Sequence, residues 1–162
     1  MIEGRDLVVE APFTTGKTDA LCISALETID ADIKTCQALI VTSAFSEAKK
    51  ILNSIMDICQ FMQLDRPAMI GRRKMEEDIP ALRDGQQFVV GTPRRVLELI
   101  QLGAIKIGSA RLLVLDDADE MIARDFSEDI LAIRKQMPHN TQGAVLSTTM
   151  PQDVLEIANK LL

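Results

Sequence analysis

Three carboxylates stand within four positions, Asp116, Asp117 and Asp119, directly after the aliphatic run Leu112-Leu113-Val114-Leu115. A short buried strand that delivers acids at its carboxyl end is how open α/β sheets present metal-holding and water-orienting groups to a nucleotide. Upstream, Ala11-Pro12-Phe13-Thr14-Thr15-Gly16-Lys17-Thr18 has the ending of a phosphate-binding loop. In such a loop backbone N–H groups and the helix N-terminus meet phosphate oxygens, the lysine reaches the terminal phosphates and the hydroxyl holds Mg²⁺. The two segments complement one another. Thr15, Gly16, Lys17 and Thr18 would bind the phosphates of a nucleoside triphosphate, Thr18 and Asp116 would hold Mg²⁺, and Asp117 would orient or deprotonate the attacking water.

Each segment by itself has a plainer reading, a solvated lysine at a helix start or acids capping a turn; their joint presence favours the chemistry. The loop is also abnormal. Thr14 stands where a second glycine is expected, and a β-branched residue resists the positive φ and close backbone approach that glycine permits. Pro12 supplies no N–H. Weakened phosphate binding is the expectation.

The elements that must position these groups alternate. Apolar, β-branched runs predict strands near Leu7 to Glu10, Ala38 to Thr42, Ala68 to Ile70, Phe88 to Val90, Leu112 to Leu115 and Ala144 to Ser147, with helices between them. That is the pattern of an α/β fold with an open, mostly parallel sheet and helices on both faces. The stripe Ala48, Ile51, Leu52, Ile55, Cys59 and Met62 has helical spacing. Thr92 before Pro93 predicts a side-chain cap with proline at the first helical position, and Pro151 predicts a similar start for the last helix. In that helix Val154, Leu155, Ala158 and Leu161 are the expected buried stripe.

With 162 residues, 47% hydrophobic, and no repeat or linker, the chain reads as one domain, 1–162. Trp and Tyr are absent and Phe numbers five, so little aromatic material is available for stacking on bases. The formal charge of −6 lacks the basic footprint of a protein that grips nucleic acid unaided. RNA contacts would have to be local, at Lys49-Lys50, Arg72-Arg73-Lys74 or Arg94-Arg95, although short charge runs are commonly solvated faces. Cys22, Cys36 and Cys59 lack metal-ligand spacing and His139 is the single histidine, which favours reduced thiols in a cytoplasmic or nuclear protein. No signal peptide and no apolar span of about 18 residues is present, so a membrane location is not expected.

Taken in order, Gly16-Lys17-Thr18, Gly91-Thr92-Pro93-Arg94-Arg95-Val96, Asp116-Asp117-Ala118-Asp119 and Ser147-Thr148-Thr149-Met150-Pro151 resemble motifs I, Ib, II and III of the first RecA-like domain of DEAD-box RNA helicases. The framing around Val114 to Met121 and Met150 to Glu156 is most similar to the initiation factor 4A-like group of that family. The resemblance implies a RecA-like P-loop fold, ATP and Mg²⁺ as cofactors, and RNA as a partner. It implies that Asp119 links to Ser147 and Thr149, coupling nucleotide state to RNA binding. It places Gly71, Arg72, Thr92, Pro93, Arg94 and Arg95 on the RNA-facing side.

Departures from the family pattern cluster in these motifs. Asp117 stands for a glutamate, and shortening by one methylene shifts a carboxylate by roughly an ångström, enough to cost on the order of a hundredfold in rate. Thr148 stands for the alanine of Ser-Ala-Thr, Phe45 for an RNA-contacting arginine, Arg72 for the second glycine of a pair, and Arg94 for a glycine. Arginine at position 94 blocks close approach of a phosphate to the backbone while adding charge. The Q motif and the second RecA-like domain are not in this chain, and that domain brings an arginine finger worth on the order of 10³ or more in rate. Two functions follow as expectations: the ATP-binding half of an RNA helicase that remodels RNA only with a second domain, or a catalytically inactive pseudohelicase acting as a protein-interaction scaffold.

Overall fold

The computed structural model describes residues 1–12, 15–60, 68–69, 75–82 and 85–162. In chain order the elements are β1 (Leu7–Glu10), α1 (Lys17–Leu26), β2 (Ala38–Thr42), α2 (Phe45–Cys59), β3 (Ala68–Met69), α3 (Met75–Leu82), β4 (Phe88–Gly91), α4 (Pro93–Gln101), β5 (Leu112–Asp116), α5 (Ala118–Ala123), α6 (Ser127–Gln136), β6 (Gln142–Ser147) and α7 (Gln152–Leu161). The strands form one sheet in the order β1-β6-β5-β2-β4-β3, and every pairing is parallel.

Every residue of β2 and β5 is buried, as a parallel sheet covered on both faces requires. On one face Leu39, Val41, Leu113, Leu115 and Val145 meet Val96 and Leu99 of α4, Met121 of α5, Ile130 and Ile133 of α6, and Val154 and Ala158 of α7. On the other, Ile40, Val114, Ala144 and Leu146 meet Leu21, Cys22 and Ala25 of α1 and Ala48, Ile51 and Ile55 of α2. The alternation along each strand therefore splits the core into two layers of apolar contact. Cys22 and Cys36 lie within these layers, where burial pushes both thiols up to about 12.

Because the strands are parallel, Glu10, Thr42, Gly91, Asp116 and Ser147 all end at one edge of the sheet. That edge is where ligands of open α/β sheets bind. The expected strands are present; β1 and β2 have the expected ends, and others differ. β5 runs on to Asp116, β4 to Gly91, and β6 begins at Gln142, whose amide donates to the carbonyl of Met1 at 3.0 Å and also to that of Arg5. Ile70 and Met62 lie outside the described residues.

Three local expectations are corrected. Thr92 occupies the N-cap of α4 with Pro93 at the first helical position, but the threonine side chain makes no capping hydrogen bond. Pro151 is the N-cap of α7, not its first helical residue. In α7 it is Ile157, 7% exposed, that joins Val154, Ala158 and Leu161 in the core, whereas Leu155 is 38% exposed. Exchanging Leu155 for Ile157 turns the buried stripe by a fraction of a turn, toward the side on which α7 packs against α6 and α5. Among the described residues no helix is long and apolar enough to cross a membrane.

Candidate functional site

The turn from β1 into α1 ends at Gly16, the N-cap of α1, with φ 79° and ψ 14°. A β-carbon at this position would meet nothing within 4 Å, so the requirement for glycine is conformational, not one of space. Thr15 Oγ1 donates to the carbonyl of Pro12 at 2.9 Å and ties the two ends of the loop together. Thr14 and Phe13, between them, lie outside the described residues.

From the first turn of α1, Lys17 reaches past β6 to the end of β5. Its Nζ donates to Oδ1 of Asp117 at 2.9 Å and lies 3.6 Å from Oδ1 of Asp116. The three side chains are only 5–10% exposed. Asp117 is a non-glycine residue at φ 61°, a left-handed conformation that ends β5 and opens α5 in a single step. That bend is what turns its carboxylate toward Lys17 from the next position after Asp116.

Electrostatically this is a buried cation between two acids. Burial alone would depress Lys17, but the Asp117 hydrogen bond and the charges of Asp116 and Asp117 hold it above its ordinary value. Burial, reinforced by the Asp117 charge, pushes the Asp116 carboxyl up to about 6 despite the opposing ammonium. Oδ1 of Asp116 is buried without a hydrogen-bond partner. So is Oγ1 of Thr42, which is paired in register with Asp116 on the neighbouring strand and is a polar site neighbour that sequence reasoning passed over as part of an apolar run.

Lys17, Asp116 and Asp117 line a cleft of about 440 Å³ together with Pro12, Gly16, Thr18, Asp19, Glu47, Lys50 and Ile51. The donor set fits a magnesium-bound triphosphate. Mg²⁺ typically takes one or two protein oxygens, which Asp116 Oδ1 and the Thr18 hydroxyl can provide, and completes its shell with water and phosphate. Among the described residues no group of three or more acids, histidines or cysteines is placed to hold a metal by itself.

Asp119, in the first turn of α5, joins the acidic segment to the end of β6. Its Oδ2 accepts from the backbone N–H of Thr149 at 3.0 Å and from Thr149 Oγ1 at 2.7 Å, while its own N–H donates to Ser147 Oγ at 3.0 Å. Burial works against ionisation here, and the hydrogen bonds from Thr149 and Ser147 outweigh it and lower the carboxyl below its ordinary value.

Thr92, Pro93, Arg94 and Arg95 follow β4 at the same sheet edge, outside the cleft. Arg94 is exposed, with Nε 3.7 Å from Oδ2 of Asp129. Arg95 is held differently: its guanidinium donates to the buried Asp78 at 2.6 Å and its Nε lies 3.3 Å from Glu98. Asp78 of α3 was not legible as a site residue, since no local pattern marks an acid that is buried only because an arginine 17 positions later reaches it. Gly71 and Arg72 lie outside the described residues.

Comparison with known proteins agrees with this geometry. The model of the DEAD/DEAH box helicase family matches residues 1–157. The whole chain is 44% identical to "ATP-dependent RNA helicase eIF4A" of Aspergillus clavatus and 43% identical to the protein of the same name from Neurospora crassa, covering 41% of each. The chain thus spans about two fifths of the length of these relatives. Among solved structures, a DEAD box protein from Methanococcus jannaschii superposes with a TM-score of 0.87 at 26% identity, over 98% of this chain and 43% of that one. A variant of yeast dbp5, solved with nup159, a gle1 variant, IP6 and ADP, superposes with a TM-score of 0.85 over 97% of this chain and 41% of that one; at 21% identity this likeness shows the fold.

Proposed function

The chain belongs to the DEAD/DEAH box helicase family, and on that premise we propose that it is the ATP-binding, N-terminal RecA-like half of an RNA helicase of the initiation factor 4A kind. The observation that carries this reading is the convergence of Lys17, Asp116 and Asp117 on one cleft from two strands separated by a third. Gly16 and Thr15 would present backbone N–H groups to the phosphates, and Lys17 would exchange part of its contact with Asp117 for a phosphate oxygen. Mg²⁺, held by Thr18 and Asp116, would neutralise phosphate charge. Asp117, relieved of the ammonium, would be the group available to orient water. Asp119 would carry the state of the cleft to Ser147 and Thr149, two residues that already share its hydrogen bonds.

RNA would be met at the sheet edge that bears Thr92, Pro93 and Arg94; Gly71 and Arg72, the other contacts expected from the sequence, lie outside the described residues. The Asp78 contact supports a different part for Arg95, bracing α4 against α3. Unwinding, and any role in translation initiation in the cytoplasm or in RNA handling in the nucleus, would require a second RecA-like domain to supply the remaining catalytic charge. The test is RNA-stimulated ATP turnover by the chain joined to such a domain. Turnover that disappears in Lys17→Ala supports the proposal, and turnover no higher than background rules it out.

The second reading, an inactive scaffold that binds protein partners, is favoured by one feature of the site. The short Asp117 carboxylate is engaged by Lys17 in the position where a water-orienting group would be needed. Calorimetric titration of the 162-residue chain separates the two: micromolar binding of Mg-ADP or Mg-ATP counts against a nucleotide-free scaffold.

A further inference from the structure

The cleft has a second cation that the mechanism above does not use. Lys50, in the second turn of α2, lines it beside Ile51, and its Nζ is bound to both carboxylate oxygens of Glu47 at 2.9 Å. The Lys50 side chain is 70% exposed and that of Glu47 30% exposed, so this local pair is solvated and readily exchanged for a stronger partner.

Charge balance gives the exchange a direction. Among the described residues lining the cleft, four acids (Asp19, Glu47, Asp116 and Asp117) face two lysines, Lys17 and Lys50. A nucleoside triphosphate would add several negative charges to a wall that is already net acidic, and Lys17 has two carboxylates to satisfy. Lys50 lines the same cleft as Lys17 and Asp117, and after Glu47, which dominates, the Asp117 charge also holds the Lys50 ammonium above its ordinary value. A flexible four-carbon stem lets an ammonium on α2 swing between these positions.

We propose that Lys50 is a second phosphate-binding cation of this cleft, exchanging Glu47 for the terminal phosphate of a bound nucleoside triphosphate. The inference rests on the nucleotide-binding reading above. Glu47 then acts as a latch that holds the cation in place until a stronger anion arrives. The selectivity is for the third phosphate: Gly16, Lys17 and Thr18 line the cleft from the start of α1, and Lys50 lines it from α2.

Calorimetric titration of the 162-residue chain with Mg-ATP and with Mg-ADP tests it. Lys50→Ala should weaken ATP roughly tenfold and leave ADP within about twofold, as expected for loss of one charge-assisted contact. Glu47→Gln should tighten ATP. Lys49→Ala, which removes the same charge from an exposed neighbour outside the cleft, should change neither ratio. Loss of ATP and ADP affinity in equal measure in Lys50→Ala, or no loss in either, overturns the assignment while leaving the nucleotide reading intact. Absence of any nucleotide binding by the unaltered chain removes both.

Discussion

Lys17 Nζ and Asp117 Oδ1 lie 2.9 Å apart although the residues are 100 positions apart in the chain. The contact crosses β6 and locks the β1–α1 turn to the β5–α5 turn, so that the lysine proposed to bind phosphate and the acidic pair are one preformed unit.

Lys17→Met should therefore weaken folding as well as nucleotide binding. It leaves two adjacent buried carboxylates without their cation, and a cost of about 1–3 kcal/mol at pH 7 is expected in urea denaturation. A variant that loses nucleotide binding with unchanged stability would show that the pair contributes nothing to the fold.

Asp116 sets a pH dependence. With its folded value at about 6 against an ordinary 3.8, the native state binds this proton more tightly than the unfolded chain does. The favourable contribution is therefore complete below about pH 3.8 and is lost as pH rises through about 6. Asp116→Asn removes that slope. Measured in EDTA, the stability difference between variant and parent should move in the variant's favour by on the order of 1–3 kcal/mol from pH 4 to pH 7. A difference that stays flat across this range would refute the assignment.

Thr149→Val keeps the backbone N–H bond to Asp119 and deletes the 2.7 Å hydroxyl bond. In a partly exposed setting the loss should be about 0.5–1 kcal/mol in thermal denaturation. Affinity for Mg-ATP should not change, while RNA-stimulated turnover of a two-domain protein should fall. Reduced ATP affinity with normal RNA stimulation would reverse the proposed order of communication.

Asp78→Ala removes the buried partner of the Arg95 guanidinium, the Asp78 side chain being 4% exposed, and leaves it Glu98 at the surface. The expected cost is about 2–3 kcal/mol. A cycle with Arg95→Ala should show strong coupling, the double variant being much less destabilised than the sum of the singles. Additive effects would mean that the 2.6 Å contact carries no joint energy.

Strands were legible because aliphatic runs buried on both faces leave little ambiguity, and the motif residues could be placed at strand ends for the same reason. The start of β6 was not, because Gln142 is polar and is buried only by virtue of the Met1 and Arg5 carbonyls more than 130 positions away. Leu155 and Ile157 both fit helical spacing, and only the side from which α5 and α6 approach decides between them. At the site, residue types pointed to Lys17, Asp116 and Asp119, but nothing local could reveal that Asp117 adopts φ 61° and bonds the lysine, or that Thr42 lies beside Asp116. Long-range pairing decides these, and single-sequence patterns carry no record of it.

The sheet order has a temporal consequence. β1, first in sequence, pairs among the described strands only with β6, through Leu7 to Ala144 and the register that follows. Asp6 reinforces the junction by accepting from the N–H of Gly143 at 2.7 Å. On a ribosome the nucleotide loop emerges early yet waits for nearly the whole domain before it can be anchored, while β2, β4 and β5 can assemble without it. On the proposed reading nucleotide capture would come late in the maturation of the chain, and a nascent chain stalled before position 142 would carry every residue of the Lys17–Asp117 pair without the strand that holds them in register.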